Sequence, residues 1–88
     1  MRLEGRSALV TGANGDVGGA IAQRLGQEGS RIAAHDLTAE LAGQAVEKLA
    51  AQGIQAVAVW GNLSRPAEAQ RVVSEAVEAL GGLDILVN

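Results

Sequence analysis

The sequence predicts an α/β domain: a doubly wound parallel sheet of the form β-α-β-α-β-α-β, with strand order 3-2-1-4. Four short aliphatic runs alternate with three stretches of helical periodicity. The stretches between the runs are helix-length, as right-handed crossovers between parallel strands require. Glycines cluster where the first aliphatic run passes into the first helical stretch. No linker, internal repeat or low-complexity segment divides the chain.

The first strand is Ser7-Ala8-Leu9-Val10, apolar and bounded by Gly5 and Gly12, which suits a strand buried on both faces. The first helix spans residues 17–28, where Val17, Ile21 and Leu25 recur every four positions beside Ala20 and Ala22, and Gly29 stops it. Arg31 to His35 carries Ile32, Ala33 and Ala34 as the second strand, which ends at Asp36-Leu37. The second helix covers residues 38–52, with Thr38 as N-cap, Leu41, Ala45 and Leu49 on one face, and Gly53 at its exit. The third strand covers residues 54–60 and is rich in valine. The turn Gly61-Asn62-Leu63-Ser64 follows, with Ser64 as the expected cap of the third helix and Pro66 in its first turn. Ala69, Val72, Val73, Ala76, Val77 and Leu80 mark that helix's apolar face, and Gly81-Gly82 ends it. The fourth strand lies within residues 83–88 around Ile85-Leu86-Val87.

Composition narrows the classes of function. The chain has 88 residues, enough for one small domain or a piece of a larger one. Phe and Tyr are absent and Trp60 is the single aromatic residue, so the core is built from Ala, Val, Leu and Ile. The absence of cysteine excludes disulfides and thiolate chemistry, and a lone histidine, His35, makes a metal cluster an unexpected feature. A net charge of −3 without a basic run is no footprint for nucleic acid or an acidic membrane surface. No apolar run approaches the ~20 residues of a membrane span, and residues 1–5 lack the apolar segment of a secretion signal. A cytoplasmic protein is the expectation.

The segment from Leu9 to Ala22 reads as a phosphate cradle. Gly12, Gly15 and Gly18 are expected to allow positive φ and to keep Cβ atoms out of an anion's way, while the following helix turns its N-terminal N–H groups and dipole toward it. Asp36, 18 positions beyond Gly18 at the end of the second strand, is placed to accept hydrogen bonds from ribose hydroxyls and to repel a 2′-phosphate. This favours NAD over NADP. Neither Leu37 nor Asn14 adds a positive charge for a phosphate. Asp16 is placed to cap the first helix and, pointed inward, would repel a pyrophosphate. Asp36 also has a bland reading as a turn residue or cap, and His35 reads as a strand-end residue. Trp60 reads as core or interface, and Asp84 as a brace for the fourth strand.

In these residues the chain resembles the N-terminal half of the short-chain dehydrogenase/reductase family, from about Gly5 to Asn88. The matching pieces are Leu9-Val10-Thr11-Gly12-Ala13 with Gly18 and Ala20-Ile21-Ala22, then Asp36-Leu37, Asn62-Leu63-Ser64, and Leu83-Asp84-Ile85-Leu86-Val87-Asn88. The glycine spacing Gly-x-x-Gly-x-x-Gly is similar to the family's epimerase-like branch, whereas the later motifs resemble the main single-domain branch. There the middle glycine stands where this chain has Asp16, and an Asp often stands where it has Asn62. The resemblance implies a Rossmann-like fold whose first motif (Gly12, Asn14, Gly15, Asp16, Val17, Gly18) holds the pyrophosphate. It further implies Asp36-Leu37 at the adenosine ribose, Asn62-Leu63 along the adenine, and Asn88 beside the cofactor.

The family's hydride transfer uses a Tyr in a Tyr-x-x-x-Lys motif aided by a Ser, all beyond the last residue here. This sequence has no tyrosine, and its one lysine, Lys48, falls on a helix face that reads as solvent-exposed. Serines at 7, 30, 64 and 74 with one histidine form no nucleophilic triad. The expectation is therefore a half-domain that binds the adenosine-diphosphate part of NAD, is no enzyme by itself and contains no catalytic residue. Alternatives are a truncated piece of an NAD-dependent oxidoreductase and a non-binding, self-assembling scaffold. An unpaired fourth strand and a partly bare sheet face predict self-association as a homodimer or higher oligomer.

Overall fold

The computed structural model describes residues 3–88. Its elements follow the expected alternation: β1 (Ser7–Val10), α1 (Asp16–Gln27), β2 (Arg31–Asp36), α2 (Ala39–Ala50), β3 (Ala56–Trp60), α3 (Pro66–Leu80) and β4 (Ile85–Val87). All pairings are parallel, and the order is β3-β2-β1-β4. Val10 stands opposite Ala34 on one side and Val87 on the other, so the carboxyl ends of β1, β2 and β4 finish at one level.

The alternation of side chains along a strand divides the core into two layers. Ala8, Val10, Ile32 and Ala34 face α1 and α2, where Ala22, Ala45 and Leu49 meet them. Leu9, Ala33 and Val59 face α3 and its Val72, Ala76 and Leu80. Every residue of β1 is buried, because both neighbours and both layers cover it. The alanines of β2 leave room for helices to lie close to the sheet. Gly26 of α1 serves the same purpose, since a Cβ there would come within 2.6 Å of Ile54 Cγ2.

Local details differ from the sequence reading for identifiable reasons. Gly15 is the N-cap of α1 and Asp16 its first residue, so Asp16 acts on the helix dipole and not as a cap. Val17 is 74% exposed, since the first turn of α1 overhangs the end of the sheet. Ile54 precedes β3; its N–H bonds to Leu49 O in the turn that closes α2, and its side chain is buried. Arg65, not Ser64, is the N-cap of α3, with Pro66 directly after it. Ser64 is occupied elsewhere: both its N–H and its hydroxyl donate to Asn62 Oδ1, at 3.0 and 2.6 Å. Thr38 caps α2 as expected, accepting from Leu41 N. Asp84 braces β4 by accepting from Ser7 N at 2.9 Å, while its own N–H donates to Ser7 O.

α3 packs over β1, β2 and β3 and does not reach β4. Leu86, the register partner of Leu9, therefore stands 58% exposed on the α3 side of the sheet. Val73 and Val77 of α3 are exposed as well.

Candidate functional site

The carboxyl ends of the strands, where an open parallel sheet holds its ligands, carry every site residue singled out from the sequence. The β1–α1 loop is drawn toward the end of β2 by three successive N–H groups. Gly12 N–H donates to His35 Nδ1 at 3.4 Å, Ala13 N–H to the His35 carbonyl at 2.8 Å, and Asn14 N–H to Asp36 Oδ2 at 3.0 Å. Gly15 N–H turns back to Gly12 O. These four amides are spent within the protein, three on β2 and one on the loop itself. The amides of Asp16, Val17 and Gly18 have no acceptor among the described residues, and Gly19 N–H begins the helical ladder at Gly15 O. Unsatisfied N–H groups and the positive dipole end thus coincide at the first turn of α1, an arrangement suited to an anion.

The glycines play three different parts. Only Gly12 of the three has a positive φ, +62°. Gly15 is extended at φ −81°. Gly18 is helical, and a Cβ on it would lie 2.2 Å from Gly12 O and 2.8 Å from Gly12 C. Its role is to let the helix press against the loop, and it is not there to make room for a ligand. The spacing in the sequence was legible, but not which glycine meets which atom.

Asp36 has both carboxylate oxygens engaged: Oδ2 with Asn14 N and Oδ1 with Leu37 N at 2.8 Å. Each oxygen retains a further lone pair for a hydroxyl donor. Leu37 is 56% exposed. The Asn14 side chain reaches α2, where its Nδ2 donates to Gln44 Oε1 at 3.0 Å, and its Oδ1 is buried without a hydrogen-bond partner. Gln44 carries no signal in the sequence; only the packing of α2 beside the loop brings it here.

On the other side of β2, the β3–α3 turn is organised by Asn62. Its Oδ1 is taken up by Ser64, and its N–H donates to Glu68 Oε1 at 2.8 Å, while Nδ2 has no hydrogen bond among the described residues. An acid at the third helical position, reaching back to an orphan N–H before the helix, was a signal available in the sequence. Leu63 packs partly buried against the α3-facing core. Near β4, Thr11 Oγ1 donates to Val87 O or to Asn88 Oδ1, each at 3.2 Å. Thr11, Leu63, Leu86 and Asn88 border a small crevice of about 200 Å³.

Gly12–Gly18, Asp36-Leu37 and Asn62-Leu63 are thus joined into one surface by direct bonds around β2, and Asn88 lies at its β4 margin. A larger apolar groove, about 670 Å³, opens at the opposite end of the strands between Arg31, Gly53 and Val57. It touches none of these residues. Among the described residues no group of acidic, His or Cys side chains could hold a metal ion, and no helix is long and apolar enough to cross a membrane.

Comparison with known proteins agrees with this geometry. The family model for short chain dehydrogenases matches residues 6–88. A 5-keto-D-gluconate 5-reductase of Escherichia coli K12 is 41% identical over 86 residues, which cover 98% of this chain and 34% of the reductase. A 1-deoxy-11-beta-hydroxypentalenate dehydrogenase of Streptomyces avermitilis is 38% identical over 88 residues, 100% of this chain and 33% of that protein. The crystal structure of a hydroxysteroid dehydrogenase from Escherichia coli superposes with a TM-score of 0.93 at 32% identity, over 99% of this chain and 36% of that one. A short chain dehydrogenase from Burkholderia cenocepacia J2315, solved in complex with NADP, superposes at 0.88 with 40% identity, over 100% of this chain and 36% of that one. The chain spans about a third of the length of the relatives it matches.

Proposed function

This chain belongs to the short chain dehydrogenase family, and on that premise we propose that it is a half-site for an adenine dinucleotide, binding the adenosine and pyrophosphate part without turning it over. The observation that carries the reading is the first turn of α1. Its three free N–H groups, at Asp16, Val17 and Gly18, lie next to the Asp36 carboxylate across one hydrogen-bonded loop. A pyrophosphate would take the free amides, the adenosine ribose hydroxyls would donate to Asp36, and the adenine would lie along Asn62 and Leu63. Asn88 and Thr11 would border the cofactor beyond the pyrophosphate.

The choice of NAD over NADP belongs to this proposal. A carboxylate at 36 accepts from two ribose hydroxyls and repels a 2′-phosphate. That the Burkholderia relative was solved with NADP makes the choice a matter for direct measurement. The proposal that the chain is not itself an enzyme is supported by the absence of tyrosine from its sequence, since the phenol is the proton donor that the resemblance implies. A cytoplasmic location is part of the same proposal.

Self-association is supported by β4 at the sheet edge and by exposed Leu86, Val73 and Val77. Calorimetric titration of this chain with NAD, NADP and ADP-ribose, with its mass in solution measured alongside, tests the whole reading. NAD and ADP-ribose binding with similar affinity, and NADP more weakly, is the expected result. A folded chain that binds none of the three overturns it and leaves the assembling scaffold.

A further inference from the structure

One side chain spans the two loops of the site. The imidazole of His35, 6% exposed, accepts from Gly12 N–H at Nδ1 and donates from Nε2 to the Gly61 carbonyl at 2.9 Å. The partners determine the proton's position. A carbonyl offers only lone pairs, so Nε2 carries the hydrogen; a backbone N–H offers only a proton, so Nδ1 presents its lone pair. The arrangement is complete only for the neutral ring.

We propose that His35 is a positioning residue for the dinucleotide: its neutral imidazole holds the phosphate-side loop and the adenine-side turn in register, and its protonation releases the loop and weakens binding. This rests on the dinucleotide reading above. A second proton on Nδ1 would set a donor against the Gly12 donor. Gly12 cannot simply swing aside, because Ala13 N–H is held by the carbonyl of the same histidine at 2.8 Å. Relief requires the loop to move, and Gly18, pressed against Gly12 O, moves with it. The free amides at 16–18 are thereby displaced relative to Asn62 and Leu63, the other end of the proposed ligand.

The charged groups around the bridge are few. Arg71 of α3 donates to Trp60 O and flanks Gly61, where Glu68 also approaches. Asp36 adjoins His35 in the chain with its side chain on the opposite sheet face, bonded to Asn14 N. β1, β3 and loop residues 11–15 contribute no charged side chain. His35 is the single histidine and cysteine is absent.

ADP-ribose is the suitable probe, since its bridging pyrophosphate keeps one charge state around neutral pH. Calorimetry on the 88-residue chain at one pH above and one below the point where nitrogen-15 NMR shows the ring gaining its second proton should show affinity falling about fivefold at the lower pH, the worth of roughly one hydrogen bond. In His35→Asn that pH dependence should vanish. Equal wild-type affinity at both pH values, or an unchanged slope in His35→Asn, overturns the proposal. Nitrogen-15 NMR of the unliganded chain supplies a measurement independent of binding and of any variant. The neutral ring should report a proton on Nε2, and the Gly12 and Gly61 amides should shift together with its titration. A Gly12 amide indifferent to the ring overturns the coupling. Failure of ADP-ribose to bind at either pH, with the amides still moving, overturns the dinucleotide reading and the binding half of the proposal while upholding the coupling.

Discussion

The backbone N–H of Asn14 donates to Asp36 Oδ2 at 3.0 Å, so the carboxylate proposed to read the ribose is also a structural anchor of the phosphate-side loop. Selectivity and loop geometry therefore share one side chain, and substitutions at 36 are expected to affect both.

Asp36→Ala should weaken NAD and ADP-ribose by about tenfold or more, the range for hydrogen bonds to a charged group. Asp36→Asn keeps one acceptor for Asn14 N–H and removes the charge. It should narrow the proposed preference for NAD over NADP while losing less affinity for NAD than the alanine variant. Parallel titrations of the two variants with both dinucleotides separate the anchor from the charge; equal losses in both would contradict this division.

Gly18→Ala should be costly although alanine is a better helix former. Its Cβ would fall 2.2 Å from Gly12 O, a backbone atom held in place by the loop's bonds to β2. A loss of about 1–3 kcal/mol is expected from such overpacking. Urea denaturation provides the check, and a variant as stable as the parent would show that α1 can shift freely.

Asp16→Gly should act oppositely on binding and stability. Removing an acid from the first turn of α1 forfeits about 0.3–1 kcal/mol of dipole stabilisation, and glycine adds its own helix penalty. Binding of a pyrophosphate at the adjacent free amides should nonetheless strengthen, and the gain should shrink with added salt as screening grows. Titration at low and high salt together with thermal denaturation reads both effects.

Leu86→Lys should reduce the proposed self-association without unfolding the chain. Leu86 is 58% exposed on an edge strand, and a lysine there adds charge to an open edge without removing core contacts. Sedimentation velocity should show the mass moving toward the monomer while the circular dichroism is retained. An unchanged oligomer would locate the interface elsewhere on the molecule.

Part of this protein was legible in the residues alone. Strand order, the alternation of layers and the position of the cradle follow from aliphatic runs set apart by helix-length segments, because parallel strands admit few connections. Gly12, Asp36 and Asn62 could be placed at the carboxyl ends of their strands for the same reason. Periodicity could not tell that Val17 overhangs the sheet, since the stripe repeats whether or not the sheet extends beneath it. Nor could it tell that Ser64 donates to Asn62 and that α3 begins one residue later, with Arg65 at its cap, since both follow from the fold of the turn.

What the sequence by itself determined was the architecture and which segments meet at the carboxyl ends of the strands, both set by short-range pattern and chain connectivity. Tertiary structure alone decided how those segments are spent. The amides of 12, 13 and 14 go to β2, those of 16, 17 and 18 find no acceptor among the described residues, Gln44 meets Asn14, and His35 joins Gly12 to Gly61. Each of these depends on hydrogen-bond partners distant in the chain, and their direction and distance exist only once β2 lies between the two loops.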